Sequence, residues 1–195
     1  MQKFNDFQRS GFTLAAACGL IGITYGVFAD TAGLSLLQAS ALSILTFTGA
    51  SQFAAVSVID GGGNPAAAVS SALLLSARNA LYGPVITKSL NKGKLNRALA
   101  AHFVIDETIA IASAQETSKD SRDSFWFTGI SLFIFWNIGT ILGVLLGGVL
   151  KDPGAWGLDA AFPAAFVALI IPHVCTREGK ITAIVAGAIT LVCIP

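Results

Sequence analysis

Three clusters of polar residues interrupt the apolar stretches of this 195-residue chain, and each holds residue types suited to ligand binding or proton transfer. The first is Thr46-Phe47-Thr48-Gly49-Ala50-Ser51-Gln52-Phe53. Hydroxyls and an amide set in hydrocarbon need hydrogen-bond partners, because lipid supplies none. Gly49 permits the backbone to unwind or to approach a neighbour closely. One reading is a discontinuous helix near 46–52. Its freed N–H groups, with Thr48, Ser51 and Gln52, would face an amino-acid carboxylate or ammonium. The other reading is small-residue packing with satisfied hydroxyls. Spacing alone does not choose between them.

The second cluster is Arg78-Asn79 with Tyr82. An arginine at mid-helix costs about 2.5–3.5 kcal/mol on the insertion scale. Arg78 lies about ten residues, roughly 15 Å along a helix, from the nearest basic loop. It is expected to face the bundle interior or a water-filled cavity, with Ser71 and Tyr82 on the same helix face. Its role is a carboxylate anchor or the partner of an acid, and a purely structural ion pair is the plainer alternative. The third cluster is His102, Asp106 and Glu107. On a continuous helix His102, Asp106 and Ser113 share one stripe, and Glu107 points about 100° away. Desolvation favours the neutral form of a carboxylic acid. Asp106 and Glu107 are therefore candidate proton carriers, unless one of them simply pairs with Arg78. His102 lies close to the basic loop and is expected at the interface.

Membrane helices must position these clusters. Hydrophobic residues make up 54% of the chain and charged residues 12%, against roughly 25% charged in soluble domains. Mean hydropathy is +0.71. A disordered, collagen-like or disulfide-scaffold chain is excluded. A net charge of +1 gives no basic field for nucleic acid. Apolar runs cover 11–29, 34–59, 66–87, 98–115, 125–150, 160–176 and 181–194. The expected fold is an all-α, polytopic helical integral membrane protein with about six to seven transmembrane segments. Residues 1–10 form a polar N-terminal segment and 11–195 a single transmembrane domain.

Between the runs lie a turn at 30–33 and a loop at 60–64, after which Pro65 suits the start of a helix. Charged loops are expected at 116–124 and 177–180, and a further loop at 151–159. The last two runs are short enough to form a hairpin instead of two full spans. Pro195 directly follows an apolar run, so a terminal segment is expected to be absent or supplied by a partner. Lys88, Lys92, Lys94 and Arg97 occur without an acid, which makes loop 88–97 cytoplasmic by the positive-inside rule. Gly139, Gly143, Gly147 and Gly148 offer a small-residue packing face. Trp126 suits an aromatic belt, Asn137 a hydrogen bond across helices, and His173 an interface. Cys18, Cys175 and Cys193 are scattered, with no metal-ligand spacing. No metal or cofactor is expected, and there is no P-loop or dinucleotide fingerprint.

Phe47-Thr48-Gly49-Ala50-Ser51-Gln52-Phe53, Leu73-Leu74-Leu75-Ser76-Ala77-Arg78-Asn79-Ala80-Leu81-Tyr82-Gly83 and Ala101-His102-Phe103-Val104-Ile105-Asp106-Glu107-Thr108 resemble, in order and spacing, the AzlC family. These are permease subunits of branched-chain amino-acid exporters. The resemblance runs from about Gly11 to Lys180, and Gly157-Leu158-Asp159 before Phe162-Pro163-Ala164 is similar to a later family segment. It implies a multi-pass permease of the bacterial inner membrane, acting with a small AzlD-type membrane subunit. It implies secondary export of leucine, isoleucine, valine and sometimes methionine, coupled to protons. On that reading Thr48, Gly49, Ser51, Gln52, Arg78, Asn79 and Tyr82 bind the amino acid, and Asp106 and Glu107 carry the proton. Asn79 stands where many relatives carry histidine, which weakens a proton role there. Two alternatives stand beside this reading. One is a non-transporting membrane assembly subunit. The other is an intramembrane hydrolase using Ser51 with His102 or His173, against which Phe53 stands where a nucleophile turn needs its second glycine.

Overall fold

A computed structural model describes residues 6–87, 90, 93–149, 167, 171 and 173–193. Among these residues all regular structure is helical. In chain order the helices are α1 (Asp6–Thr31), α2 (Leu36–Thr46), α3 (Gly49–Asp60), α4 (Pro65–Ser76), α5 (Gly83–Thr87), α6 (Lys94–His102), α7 (Asp106–Ser113), α8 (Ser118–Gly147) and α9 (Arg177–Cys193). Short 3₁₀ segments occupy Ala77–Tyr82 and His173–Cys175.

Among the described helices, α1 and α8 are each long and apolar enough to cross a membrane unaided. They run parallel, because successive residues of one meet successive residues of the other. Gly11 meets Thr128, Gly19 meets Phe135, Gly22 meets Trp136, and Gly26 meets Thr140 and Gly143. A Cβ on Gly22 would lie 2.9 Å from the Trp136 carbonyl oxygen, so backbone packs directly on backbone. Gly139 and Gly143 press on the α1 backbone in the same way, and Gly147 meets the Asp30 side chain. Lipid gives helices no hydrophobic reason to associate, so such close van der Waals approach is what holds a pair together. Of the expected glycine face, Gly139, Gly143 and Gly147 are buried and Gly148 is exposed.

The three apolar runs between α1 and α8 are each divided. Residues 47–48 separate α2 from α3, the 3₁₀ segment separates α4 from α5, and residues 103–105 separate α6 from α7. The interruption expected near 46–52 is therefore present, and two more accompany it. Each divided run read as one crossing gives three crossings between α1 and α8. An odd number is what two parallel spanning helices require. Gly33, with φ +84°, makes the turn from α1 into α2. Asn64 caps α4 by accepting the Ala67 N–H at 2.8 Å, with Pro65 in the first turn.

Several local expectations are corrected. Residues 118–124 are helical, not loop, because Thr117 caps α8: its Oγ1 accepts the Asp120 N–H at 3.0 Å. Residues 177–180 likewise form the first turn of α9, with Thr176 Oγ1 accepting the Gly179 N–H at 3.0 Å. Asn137 bonds within its own helix, to the Phe133 carbonyl at 2.8 Å. The run at 160–176 and the loop at 151–159 lie largely outside the described residues, as does the 157–164 segment of the family resemblance.

Candidate functional site

Each helix break has an identifiable cause. At the first, Phe47 and Thr48 leave helical geometry, with Thr48 extended at φ −153° and ψ 109°. The Thr48 carbonyl accepts the Ser51 N–H at 3.1 Å and the Gln52 N–H at 3.2 Å, which starts α3. The Gln52 amide locks this arrangement. Its Nε2 donates to the Ser43 carbonyl at 3.2 Å, a group near the end of α2. Its Oε1 accepts the Trp136 indole N–H at 2.8 Å. Gly49 completes the seat, because a Cβ there would come within 2.9 Å of the Trp136 ring. The Ser43 and Thr140 hydroxyls, 3.2 Å apart and buried, join α2 to α8 beside it.

At the second break, Pro84 has no N–H to offer the Ala80 carbonyl. The Gly83 N–H donates to that carbonyl instead, a tighter 3₁₀ bond. The Ser76 hydroxyl donates back to the Ala72 carbonyl at 2.9 Å, a bond that competes with the helix ladder. At the third break, Thr108 is fully buried and ties the chain around itself. Its hydroxyl donates to the Phe103 carbonyl at 2.6 Å and accepts the Ile105 N–H at 3.2 Å.

The three breaks meet around one cavity of about 440 Å³, within the roughly 300–1,000 Å³ range of small-molecule sites. Thr46, Phe47 and Thr48 line it from the first break, Ser76, Asn79 and Gly83 from the second, and Ala101, His102 and Val104 from the third. Of the residues expected to bind the amino acid, Thr48 and Asn79 lie in its wall. Asn79 Oδ1 is buried without a hydrogen-bond partner among the described residues. Arg78 Nη2 pairs with Asp106 Oδ2 at 2.8 Å, which links the second break to the third. Both side chains remain accessible, at 51% and 39%, and each lies one or two residues from a lining residue. Asp106 Oδ1 is buried and has no hydrogen-bond partner among the described residues. Tyr82 stands beside this pair.

Glu107 is partly buried, close to Asp106 and Arg78 and toward Cys18 of α1. It makes no ion pair among the described residues. Gly49, Ser51 and Gln52 lie behind the first break and do not line the cavity. Ser51 Oγ is fully buried with no hydrogen-bond partner, so no base is positioned on it among the described residues.

The expected stripe of His102, Asp106 and Ser113 does not form, because the helix stops between the first two. His102 instead belongs to the cavity wall. Its ring stacks on Phe47 at 5.8 Å and 29°, and meets Phe103 and Phe133 edge-on. A signal for this was present. Val104 and Ile105 are poor helix formers, and the acids at 106 and 107 suit a first helical turn.

Comparison with known proteins agrees with this architecture. Residues 13–150, more than half of the chain, match the family model described as AzlC protein. The chain is 30% identical over 190 residues to the inner membrane protein YgaZ of Escherichia coli, covering 90% of this chain and 76% of that protein. It is 29% identical over 185 residues to an uncharacterized membrane protein of Archaeoglobus fulgidus, covering 92% and 80%. It is 25% identical over 154 residues to the branched-chain amino acid transport protein AzlC of Bacillus subtilis, covering 77% of this chain and 60% of that protein. No solved structure matches. An all-helical membrane protein built around three broken helices, this chain belongs to the AzlC family.

Proposed function

We propose that this chain is the substrate-carrying subunit of a secondary transporter that exports branched-chain amino acids across a bacterial inner membrane. The observation that carries the reading is the convergence of three helix breaks on one cavity. Broken helices in transporters present unpaired backbone groups to the substrate. Here the extended Thr48, in the cavity wall, offers its hydroxyl and backbone to the carboxylate, and its carbonyl takes the Ser51 and Gln52 N–H groups. The first N–H groups of α3, on Gly49 and Ala50, stand behind it and reach the carboxylate when the break opens further. Asn79, in the cavity wall, offers the ammonium group its side-chain amide, whose Oδ1 is buried, has no donor among the described residues and comes to the cavity by a side-chain rotation.

Arg78 and Asp106 form the coupling element. A proton arriving on Asp106 removes its charge and releases Arg78 from the 2.8 Å ion pair. The released cation then competes for the substrate carboxylate or moves its 3₁₀ segment. Glu107 is the second candidate carrier, and Tyr82 steadies the pair. The basic segment 88–97, whose last four residues form the first turn of α6 and not a loop, is cytoplasmic on this reading, and a small AzlD-type subunit completes the transporter. The AzlC relationship and the name of the Bacillus subtilis relative support the substrate class.

The test is labelled leucine movement in proteoliposomes holding the chain with its small subunit, with and without an imposed proton gradient. Gradient-driven movement is expected in the wild type and is lost in Asp106→Asn or in Glu107→Gln, which identifies the carrier. No leucine movement from a folded, correctly inserted complex would sink the branched-chain reading.

A further inference from the structure

A second cavity, of about 230 Å³, lies between α2, α3 and α4. It shares Thr46, Leu73 and Ser76 with the main cavity, so these three residues stand between the two. Its floor is three alanines, Ala55, Ala68 and Ala72, exposed by only 3%, 4% and 7% and packed on one another. No charged residue lines it. The Ser76 hydroxyl in its wall is already spent on the Ala72 carbonyl. A charged or strongly polar group placed there would lose its water without gaining partners. An aliphatic group would lose nothing.

We infer that this cavity is the side-chain subsite of the transporter: the substrate's charged groups sit in the main cavity, and its aliphatic chain passes between Thr46, Leu73 and Ser76 onto the alanine floor. The inference rests on the reading of the main cavity as an amino-acid site. It assigns selectivity to residues outside the three polar clusters. The alanines set the depth of the subsite, so a short side chain leaves it empty and a branched one fills it. Ile59, packed beside the alanine floor, sets the upper limit of size.

The test is competition of alanine, valine, leucine, isoleucine and phenylalanine against labelled leucine, on the full chain with its small subunit in lipid nanodiscs. In the wild type the branched amino acids outcompete alanine. Ala72→Val shallows the floor and lowers leucine relative to alanine by about ten-fold or more, the discrimination usual for one methylene. Ile59→Ala deepens the subsite and raises phenylalanine relative to leucine. Misfolding cannot produce these two opposite changes of preference. If the wild type binds leucine and both variants keep its order of preference, the inference is overturned and the transporter reading stands. If Ala72→Val loses all amino acids equally, Ile59→Ala alone decides, and an unchanged preference there overturns the inference. If the wild type binds none of the five, the transporter reading falls and takes this inference with it.

Discussion

Gln52 offers a sharp test, because the sequence invites a ligand role for it and the structure uses it as a tie. Both ends of its amide are engaged, with Ser43 and with Trp136, and its side chain is wholly buried. Gln52→Leu keeps most of the volume but leaves the indole N–H and the Ser43 carbonyl unpaired. Hydrogen bonds inside membrane proteins contribute on average about 0.6 kcal/mol and at most about 1.7 kcal/mol. Two of them lost together should cost about 1–3 kcal/mol. Trp136→Phe removes one of the same bonds, together with ring packing on Tyr25 at 6.1 Å. The double variant should then be less damaged than the sum of the singles, by a coupling of about 0.6–1.7 kcal/mol. The assay is reversible unfolding in mixed micelles followed by circular dichroism, with leucine binding measured beside it. Additivity within about 0.3–0.5 kcal/mol would refute the tie. So would a Gln52→Leu protein of full stability that has lost leucine.

Gly143→Val should force α1 and α8 apart, because a Cβ at 143 already lies 2.8 Å from Gly26 Cα. Overpacking of this kind costs about 1–3 kcal/mol, whereas Gly148→Ala, whose Cβ would meet nothing nearer than the Val144 carbonyl oxygen at 3.8 Å, should leave unfolding unchanged. Thr117→Ala should cost about 1 kcal/mol through loss of the α8 cap and leave leucine binding intact. Thr108→Val should lose stability and leucine binding together, because its hydroxyl holds the break that carries His102. Arg78→Gln with Asp106→Asn should retain more folded protein on expression than either single change, since each single change leaves one partner of the ion pair alone.

Much of this was legible in the residues. The first break was readable because Thr48, Gly49, Ser51 and Gln52 are costly in the middle of a continuous apolar helix. The cost of a lone charge at that depth made a pairing of Arg78 with a nearby acid one of the two readings open, beside a substrate-carboxylate anchor. That the acid is Asp106 depends on the third break, which turns α7 relative to α6. His102 was misplaced for the same reason, since a continuous helix was assumed across 103–105. The side chains of the first cluster divide in the structure: Thr48 lines the cavity, whereas Gln52 is bonded to Ser43 and Trp136. Polarity marks residues that need partners, but it does not say whether the partner is a substrate or Trp136. The cap at Thr117 was missed although Thr-x-x-Asp is a helix-start signature. The charges after it read as a loop, where they are the exposed first turns of a long helix. The alanine-floored cavity left no sequence signal, since buried alanines are common in membrane helices.

The central claim is that the three breaks enclose one substrate site. Its most direct measurement is protection of engineered cysteines by substrate. Thr48→Cys, Asn79→Cys and Ala101→Cys, one from each break, are introduced singly after Cys18, Cys175 and Cys193 are replaced by alanine. Each is labelled with a small water-soluble thiol reagent, with and without leucine, beside a Ser57→Cys control on the exposed side of α3. The account predicts that leucine slows labelling at all three breaks and leaves the control unchanged. Protection at one break alone, or at none while leucine still binds, would contradict it.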